Sequence, residues 1–248
     1  MMDLDDVLGD TVALYGDERV EDDTIRYGPL VLSTAPKANT LLADHLFSPS
    51  LLLAERIERG LVPLAGKSVV ELGAGCALPT LLAATLDAPP SVVVITDYPD
   101  EIILGNLRAN VARNRAHFSD VATVHCVGFE WGKDVGPLLE VSATRAFDVV
   151  ILSDLLHFDA SHDVLLDSLT ALLARTSSAR TYVAAGKYTP EAVCARFLEL
   201  GVERGLEWEE GADEDDAVWK GELPVSGGGL DREALGVRKG MCRWWVGR

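Results

Sequence analysis

The sequence predicts a doubly wound α/β sheet, and three observations carry that prediction. Val69-Val70-Glu71-Leu72 is an apolar run followed by Gly73-Ala74-Gly75, so a buried strand ends in a turn that glycines allow to be tight. Leu78-Pro79 then opens a helix, with Pro tolerated in the first turn, and Leu81-Leu82-Ala83-Ala84 continues it. A second apolar strand, Val92-Val93-Val94-Ile95-Thr96, ends on the carboxylate of Asp97. Strand, glycine turn, helix, strand, acid is the succession of a nucleotide-binding half of an open parallel sheet.

Taken in order, residues 1–65 read as an N-terminal extension and 66–248 as the main part of a single globular unit. Within the extension, Tyr27 to Thr34 carries β-branched and apolar residues and suits a short hairpin or strand. Ser48-Pro49-Ser50 marks a helix start; Leu51, Leu52, Leu53, Ala54 and Ile57 supply its apolar surface and Gly60 ends it. From Lys67 the alternation is regular. Strands are expected at Ser68–Leu72, Ser91–Thr96, Val121–Val127, Phe147–Ser153 and Arg180–Ala185, and helices at Leu78–Leu86, Asp100–Asn114, Ser161–Ala174 and Pro190–Leu200. Ile103, Leu107 and Val111 form one apolar helix stripe, and Leu165, Leu169 and Leu172 another, each suited to lie on a sheet. Strands separated by such helices make parallel units with right-handed crossovers.

After Gly205 the alternation fails. Glu207-Trp208-Glu209-Glu210, the acidic run Asp213-Glu214-Asp215-Asp216, Ser226-Gly227-Gly228-Gly229 and Met241-Cys242-Arg243-Trp244-Trp245-Val246 follow, with no further good helix. The last two strands are therefore expected as an antiparallel hairpin with a long loop. The whole reads as a Rossmann-like, seven-stranded, mostly parallel α/β sheet with a C-terminal antiparallel hairpin and an N-terminal extension.

A chain of 248 residues with net charge −17 lacks the clustered Lys and Arg of a nucleic-acid surface, so no nucleic-acid partner is expected. The same field attracts a basic macromolecule or a cationic small molecule. Cys76, Cys126, Cys194 and Cys242 are scattered without metal-ligand spacing, so no metal is expected and a reducing compartment is the natural setting. Met1-Met2-Asp3-Leu4-Asp5-Asp6 lacks the order of a signal peptide, and no apolar run approaches a membrane span. A cytoplasmic monomer is the expectation.

Which nucleoside the turn holds follows from an absence. A dinucleotide fingerprint wants a third glycine where this chain has Leu78. Glu71, just before the turn, would repel a phosphate yet can help hold an amino group, and Asp97 is placed to accept from two ribose hydroxyls. A cofactor with a ribose, a cationic amine and no phosphate fits: S-adenosylmethionine.

The acceptor side is read from the fourth strand. Asp148 to Ser153 leads into Asp154-Leu155-Leu156-His157-Phe158, which should face the same crevice as Gly73 and Asp97. Asp154 reads either as a cap or as a carboxylate that orients a substrate amine. His157 has the ordinary pKa of a general base, and is equally a type that serves as a structural hydrogen-bonding residue. Phe158 would wall the pocket or pack. His162, at the next helix start, is expected to be exposed. In Phe129-Glu130-Trp131-Gly132, Trp131 lies either near the adenine or in the core; Tyr98 is placed to cover the adenosine, with Asp100 as the following helix cap. Trp208, Trp219, Trp244 and Trp245 read as packing residues.

Glu71-Leu72-Gly73-Ala74-Gly75, Asp97-Tyr98-Pro99, Trp131-Gly132 and Ser153-Asp154-Leu155-Leu156 together resemble the seven-strand methyltransferases of the family that modifies non-histone lysines. Within it the likeness is to the nicotinamide N-methyltransferase-like group of fungi, which includes enzymes acting on translation elongation factor 1-alpha at its N-terminus and a lysine. The resemblance covers about Asp44 to Leu173. It implies that Gly73, Ala74 and Gly75 approach the methionine part of the cofactor, that Asp97 binds the ribose, Trp131 the adenine region, and Ser153 the cofactor beside the strand tip. Phe47 stands nearest to where such proteins usually carry a cofactor-contacting Trp. The family's post-strand motif places an aromatic three residues after the Asp; here that position is His157, with Phe158 next. The leading expectation is an N-methyltransferase acting on a lysine or N-terminal amine of a basic protein, such as a translation elongation factor. The alternatives are a small-molecule amine acceptor and a non-catalytic module that binds protein, with an NAD-dependent oxidoreductase disfavoured by Leu78.

Overall fold

A computed structural model describes residues 24–36, 42–211 and 217–248. The Met1–Asp6 segment and the acidic run Asp213–Asp216 singled out above lie outside the described residues. The described chain opens with a hairpin, β1 (Thr24–Tyr27) and β2 (Leu30–Ser33), followed by helix α1 (Ser48–Glu58). The alternating part runs β3 (Ser68–Leu72), α2 (Leu78–Ala84), β4 (Val92–Asp97), α3 (Glu101–Asn114), β5 (Thr123–Gly128), a one-turn helix α4 (Gly136–Leu139) and β6 (Val149–Ser153). It continues with α5 (His162–Leu172), β7 (Arg180–Gly186) and α6 (Glu191–Glu203), and the tail holds β8 (Trp208–Glu210), β9 (Val225–Ser226), α7 (Arg232–Gly240) and β10 (Cys242–Gly247).

The main sheet has seven strands in the order β5-β4-β3-β6-β7-β10-β8. The first five pair in parallel, and β10 lies antiparallel between β7 and β8. Chain order therefore runs one way from β3 through β4 to β5 and the other way from β6 to β7. That reversal opens a crevice beyond the C-terminal ends of β3 and β6.

The central strands are apolar throughout because both faces are covered. Val69, Val149, Ile151, Tyr182 and Ala184 meet Leu52, Leu53 and Ile57 of α1 on one face. Their alternates Val70, Leu72, Val150, Leu152, Val183 and Ala185 meet Leu165, Leu169, Leu172 and Phe197 of α5 and α6 on the other. Helix α3 starts where Asp100 caps it, its carboxylate accepting from the N–H groups of Ile102 and Ile103 at 2.9 and 3.1 Å. Ile103 and Leu107 are buried as their spacing predicts, and the buried amides of Asn110 and Asn114 clasp the edge of β2. Asn114 exchanges two bonds with the backbone of Val31, at 2.8 and 2.9 Å, and Asn110 two with Ser33, at 3.0 and 2.8 Å, so this strand edge is covered.

Three details of the tail and loops differ from the sequence expectation. Helix α7 occupies a segment expected to be loop. Gly236 and Gly240 weaken its intrinsic propensity, but Asp231 caps it by accepting from Ala234 N–H at 2.8 Å. Gly236 also has a tertiary task, since a Cβ there would lie 2.5 Å from the carbonyl oxygen of Ala217. His162, expected on the surface, is buried: its Nε2 lies 2.8 Å from the Leu156 carbonyl and its ring packs edge-on against Phe197. The third predicted strand begins at Thr123, leaving Val121 exposed.

The tail is held to α1 by acids. Glu58 accepts from Tyr27 O–H at 2.6 Å and from the N–H groups of Glu222 and Leu223 at 2.5 and 2.7 Å. Buried Glu55 pairs with buried Lys239 at 2.9 Å. The second sheet, β2-β1-β9, joins the same N-terminal and C-terminal pieces.

Candidate active site

The turn after β3 is built on backbone that few side chains permit. Gly73 and Gly75 both have φ of 58°, and Ala77 follows at 62°. A Cβ on Gly73 would fall 2.7 Å from Leu155 Cδ2 and 3.1 Å from Trp131 Cζ2, so the position also excludes side-chain bulk. The turn is fastened to the next strand: Ala74 N–H donates to Thr96 O at 2.9 Å, and Gly75 N–H to Asp97 Oδ2 at 2.7 Å. The other oxygen of Asp97 accepts from Tyr98 N–H at 2.7 Å. Burial raises the Asp97 carboxyl above its ordinary range, and these two N–H donors oppose that shift.

Glu71 sits elsewhere. It shares the strand face of Val69, so its side chain meets α2, where Thr80 O–H donates to it. It is wholly buried behind the turn, and burial pushes its carboxyl up to about 8. One oxygen, Oε1, has no hydrogen-bond partner among the described residues.

A cavity of about 280 Å³ opens at the crevice. Its wall includes Phe47, Gly73, Ala74, Gly75, Asp97, Tyr98, Trp131, Ser153, Asp154, His157 and Phe158, which brings together every residue singled out above for cofactor or acceptor except Glu71. Sequence reasoning missed His45, Ser50 and Phe129, which also line it, and Leu155 lines it from the segment expected to face the crevice. Ser50 is carried in by α1 and shares a 2.8 Å hydrogen bond with Ser153 across 103 positions, a pairing with no local signature. Leu155 had a signal, since it directly follows Asp154 at the strand exit.

The cavity wall carries two aromatic groups. His45 and Phe47 lie at one side, their ring centres 5.7 Å apart, and Phe47 reaches Tyr188 at 6.3 Å. Trp131 and Phe158 make an edge-on pair at 5.7 Å, with His157 against Phe158 at 4.0 Å.

Asp154 is the buried carboxyl group beside β6 at this end. It follows β6 with φ of 62°, a left-handed conformation that Asp tolerates better than most residues. Its N–H still bonds Ala184 O at 2.8 Å, so it remains anchored to β7. Its carboxylate accepts from Gly186 N–H at 3.1 Å and from Tyr188 O–H. Burial raises its pKa, opposed by His157, the two donors and Arg238. His157 is pushed the other way: burial lowers its pKa, opposed by the Asp154 carboxylate and by the Asp154 backbone, and neither ring nitrogen meets the distance and angle of a full hydrogen bond among the described residues. Burial thus favours the uncharged form of the imidazole.

The glycine turn and Asp97 fit S-adenosylmethionine on the structure's own terms. Side chains are excluded where backbone must approach a ligand, a carboxylate borders the space, and aromatic faces flank it. Comparison with known proteins agrees with that chemistry. Residues 38–199 match the family described as lysine methyltransferase. A Gibberella zeae protein named protein N-terminal and lysine N-methyltransferase EFM7 is 34% identical over 185 residues, covering 69% of this chain and 68% of that one. A protein of the same name from Yarrowia lipolytica is 42% identical over 123 residues, 44% of each chain. Among solved structures, a methyltransferase from Pyrococcus furiosus superposes with a TM-score of 0.55 at 15% identity, covering 88% of both chains, a likeness of fold.

Proposed function

The chain belongs to the lysine methyltransferase family, and from that premise we propose that its acceptor is an amine of a basic protein, a lysine side chain or an N-terminal amino group. The observation that carries this reading is the buried, aromatic-walled end of the cavity, where the Asp154 carboxylate and the imidazole of His157 stand together. S-adenosylmethionine, when bound, supplies an activated methyl group on a sulfonium centre.

The chain's own residues then have separate tasks. Gly73, Ala74 and Gly75 leave room along the backbone, and Asp97 accepts hydrogen bonds from the ribose hydroxyls. Tyr98 and Trp131 flank the adenine, while Ser153, tied to Ser50, borders the cofactor at the strand tip. Phe47 closes the wall on the side of α1. Asp154 attracts and orients the acceptor ammonium. An ammonium cannot attack until it loses a proton; neutral His157 takes it and frees the lone pair. Phe158 narrows the passage so that the amine approaches in line, and alignment of this kind supplies several kcal/mol of catalysis. Glu71 acts on the turn from behind rather than on the ligand.

A chain of net charge −17 draws basic segments toward itself over long range, which favours a protein acceptor such as a basic N-terminus over a neutral heterocycle. No helix among the described residues is long and apolar enough to cross a membrane, and the four cysteines are free. Those observations support a cytoplasmic setting for the reaction.

The test is incubation with methyl-labelled S-adenosylmethionine and a cell extract. Label in a discrete protein band is the expected result. Label confined to the small-molecule fraction would transfer the site to a small amine, and no transfer together with no calorimetric binding of the cofactor would leave a non-catalytic module.

A further inference from the structure

Tyr188 does not line the cavity, yet it controls a residue that does. It lies in the turn after β7, 34 positions from Asp154, and its phenol O–H donates to Asp154 Oδ2. Gly186 N–H holds the other oxygen at 3.1 Å. Both donors thus come from the end of one strand, and they grip a carboxylate whose backbone is left-handed at φ 62°. The clasp is built for a phenol. At Gly186 there is no room for a side chain, because a Cβ there would meet the Tyr188 ring, and the centre of that ring lies 6.3 Å from that of Phe47 on the cavity wall.

We propose that Tyr188 is a positioning residue of the methyl transfer, which holds the Asp154 carboxylate ionised and fixed in orientation for the acceptor amine. The inference rests on the acceptor role assigned to Asp154 above. Burial alone would protonate this acid more readily than an exposed one, and a donor to the carboxylate opposes that. The other titratable and charged groups facing Asp154 are His157 on its own loop, Arg238 on α7, Cys242 on β10 and Cys194 on α6. Burial raises both thiols, so they stay neutral, and Arg238 is engaged with the carbonyl of Leu46 and with Ser48 Oγ. Tyr188 is the side-chain hydroxyl that bonds the acid.

Tyr188→Phe removes that bond and keeps the ring against Phe47 and Gly186. The rate of label transfer from S-adenosylmethionine into the protein of a cell extract is measured at saturating cofactor, between about pH 6 and 9. Calorimetry with S-adenosylhomocysteine gives cofactor-site affinity. The expected rate falls about tenfold, as for loss of a hydrogen bond to a charged group. The acidic limb of the profile moves to higher pH, because Asp154 then protonates more readily. Affinity for S-adenosylhomocysteine stays within about twofold. Asp154→Asn lowers the rate similarly, and adding Tyr188→Phe to it lowers the rate no further, since the two residues act as one unit.

An unchanged rate and pH profile in Tyr188→Phe, beside an impaired Asp154→Asn, overturns the role of Tyr188 and spares that of Asp154. Multiplying losses in the double variant, or a fall in cofactor affinity that matches the fall in rate, overturns it as well. Wild-type turnover in Asp154→Asn, or an unmodified enzyme that labels no protein, removes the reading of Asp154 and this inference with it.

Discussion

Asp97→Ala separates the cofactor role of this acid from its role as a clasp. The carboxylate accepts two N–H groups, from Gly75 and Tyr98, each at 2.7 Å. Hydrogen bonds to a charged group contribute about 1.5–3 kcal/mol each. Gly75 borders the cavity and can be rehydrated when the carboxylate is removed, so the structural cost falls near ~2 kcal/mol rather than the full sum. For a chain of this size ~2 kcal/mol lowers the melting temperature by about 4–8 °C. Cofactor affinity should fall further than that relaxation explains, because the ribose hydroxyls also lose their acceptor. A loss of about 1.5–3 kcal/mol corresponds to roughly 10- to 150-fold in dissociation constant. Calorimetry with S-adenosylhomocysteine and thermal melting with and without it measure the two effects apart. A lowered melting temperature with unchanged affinity would mean that Asp97 only secures the glycine turn. Unchanged melting temperature together with unchanged affinity would refute the reasoning about this carboxylate altogether.

Gly73→Val should abolish cofactor binding in the same calorimetric assay while Cys76→Ala leaves it nearly intact; φ of 58° and a Cβ only 2.7 Å from Leu155 Cδ2 both oppose the valine, and retained binding would move the cofactor elsewhere. Asp154→Asn should lower turnover about tenfold or more, ~1.4 kcal/mol of barrier, with cofactor affinity intact, whereas a mere capping Asp would leave kinetics unchanged. Glu71→Gln tests a pH effect. The folded-state carboxyl titrates near 8 against an ordinary value of 4.5, so its contribution to stability is fully present below about pH 4.5 and is lost as pH rises through 8. The amide cannot ionise, and chemical denaturation should show the variant gaining on the wild type by a few kcal/mol between about pH 5 and 9. Parallel pH dependences would show that Glu71 does not titrate in this range.

The alternating sheet was legible because its signals are local. The β3 strand, its two glycines and the start of α2 occupy adjacent positions, and a parallel sheet covered on both faces demands the uninterrupted apolar runs seen at Val69–Val70 and Val92–Ile95. The position of Asp154 was legible for the same reason: it directly follows an apolar strand, and strand ends in such sheets share one crevice. The helix at Arg232–Gly240 was hidden by its glycines, although Asp231 ahead of Glu233-Ala234 was a capping signal that reading for apolar periodicity passed over.

His162 shows the opposite limit. Nothing in its neighbours distinguishes an exposed helix start from one turned inward, and only Phe197 and the Leu156 carbonyl, brought together by α5 and α6, make it a core residue. Glu71 shows it again, since strand alternation decides that its side chain meets Thr80 behind the turn instead of the cavity. By itself the sequence determined the order of strands and helices, the glycine turn and the acids at two strand tips, all set by residues within a few positions of one another. The tertiary structure alone decided the side-chain partners: Tyr188 for Asp154 at one strand tip, Lys239 for Glu55 on α1, and Ser50 for Ser153 beside Asp154. Hydrogen bonds and burial are short-range in space, and the chain separates these partners by between 34 and 184 positions, where no periodicity can record them.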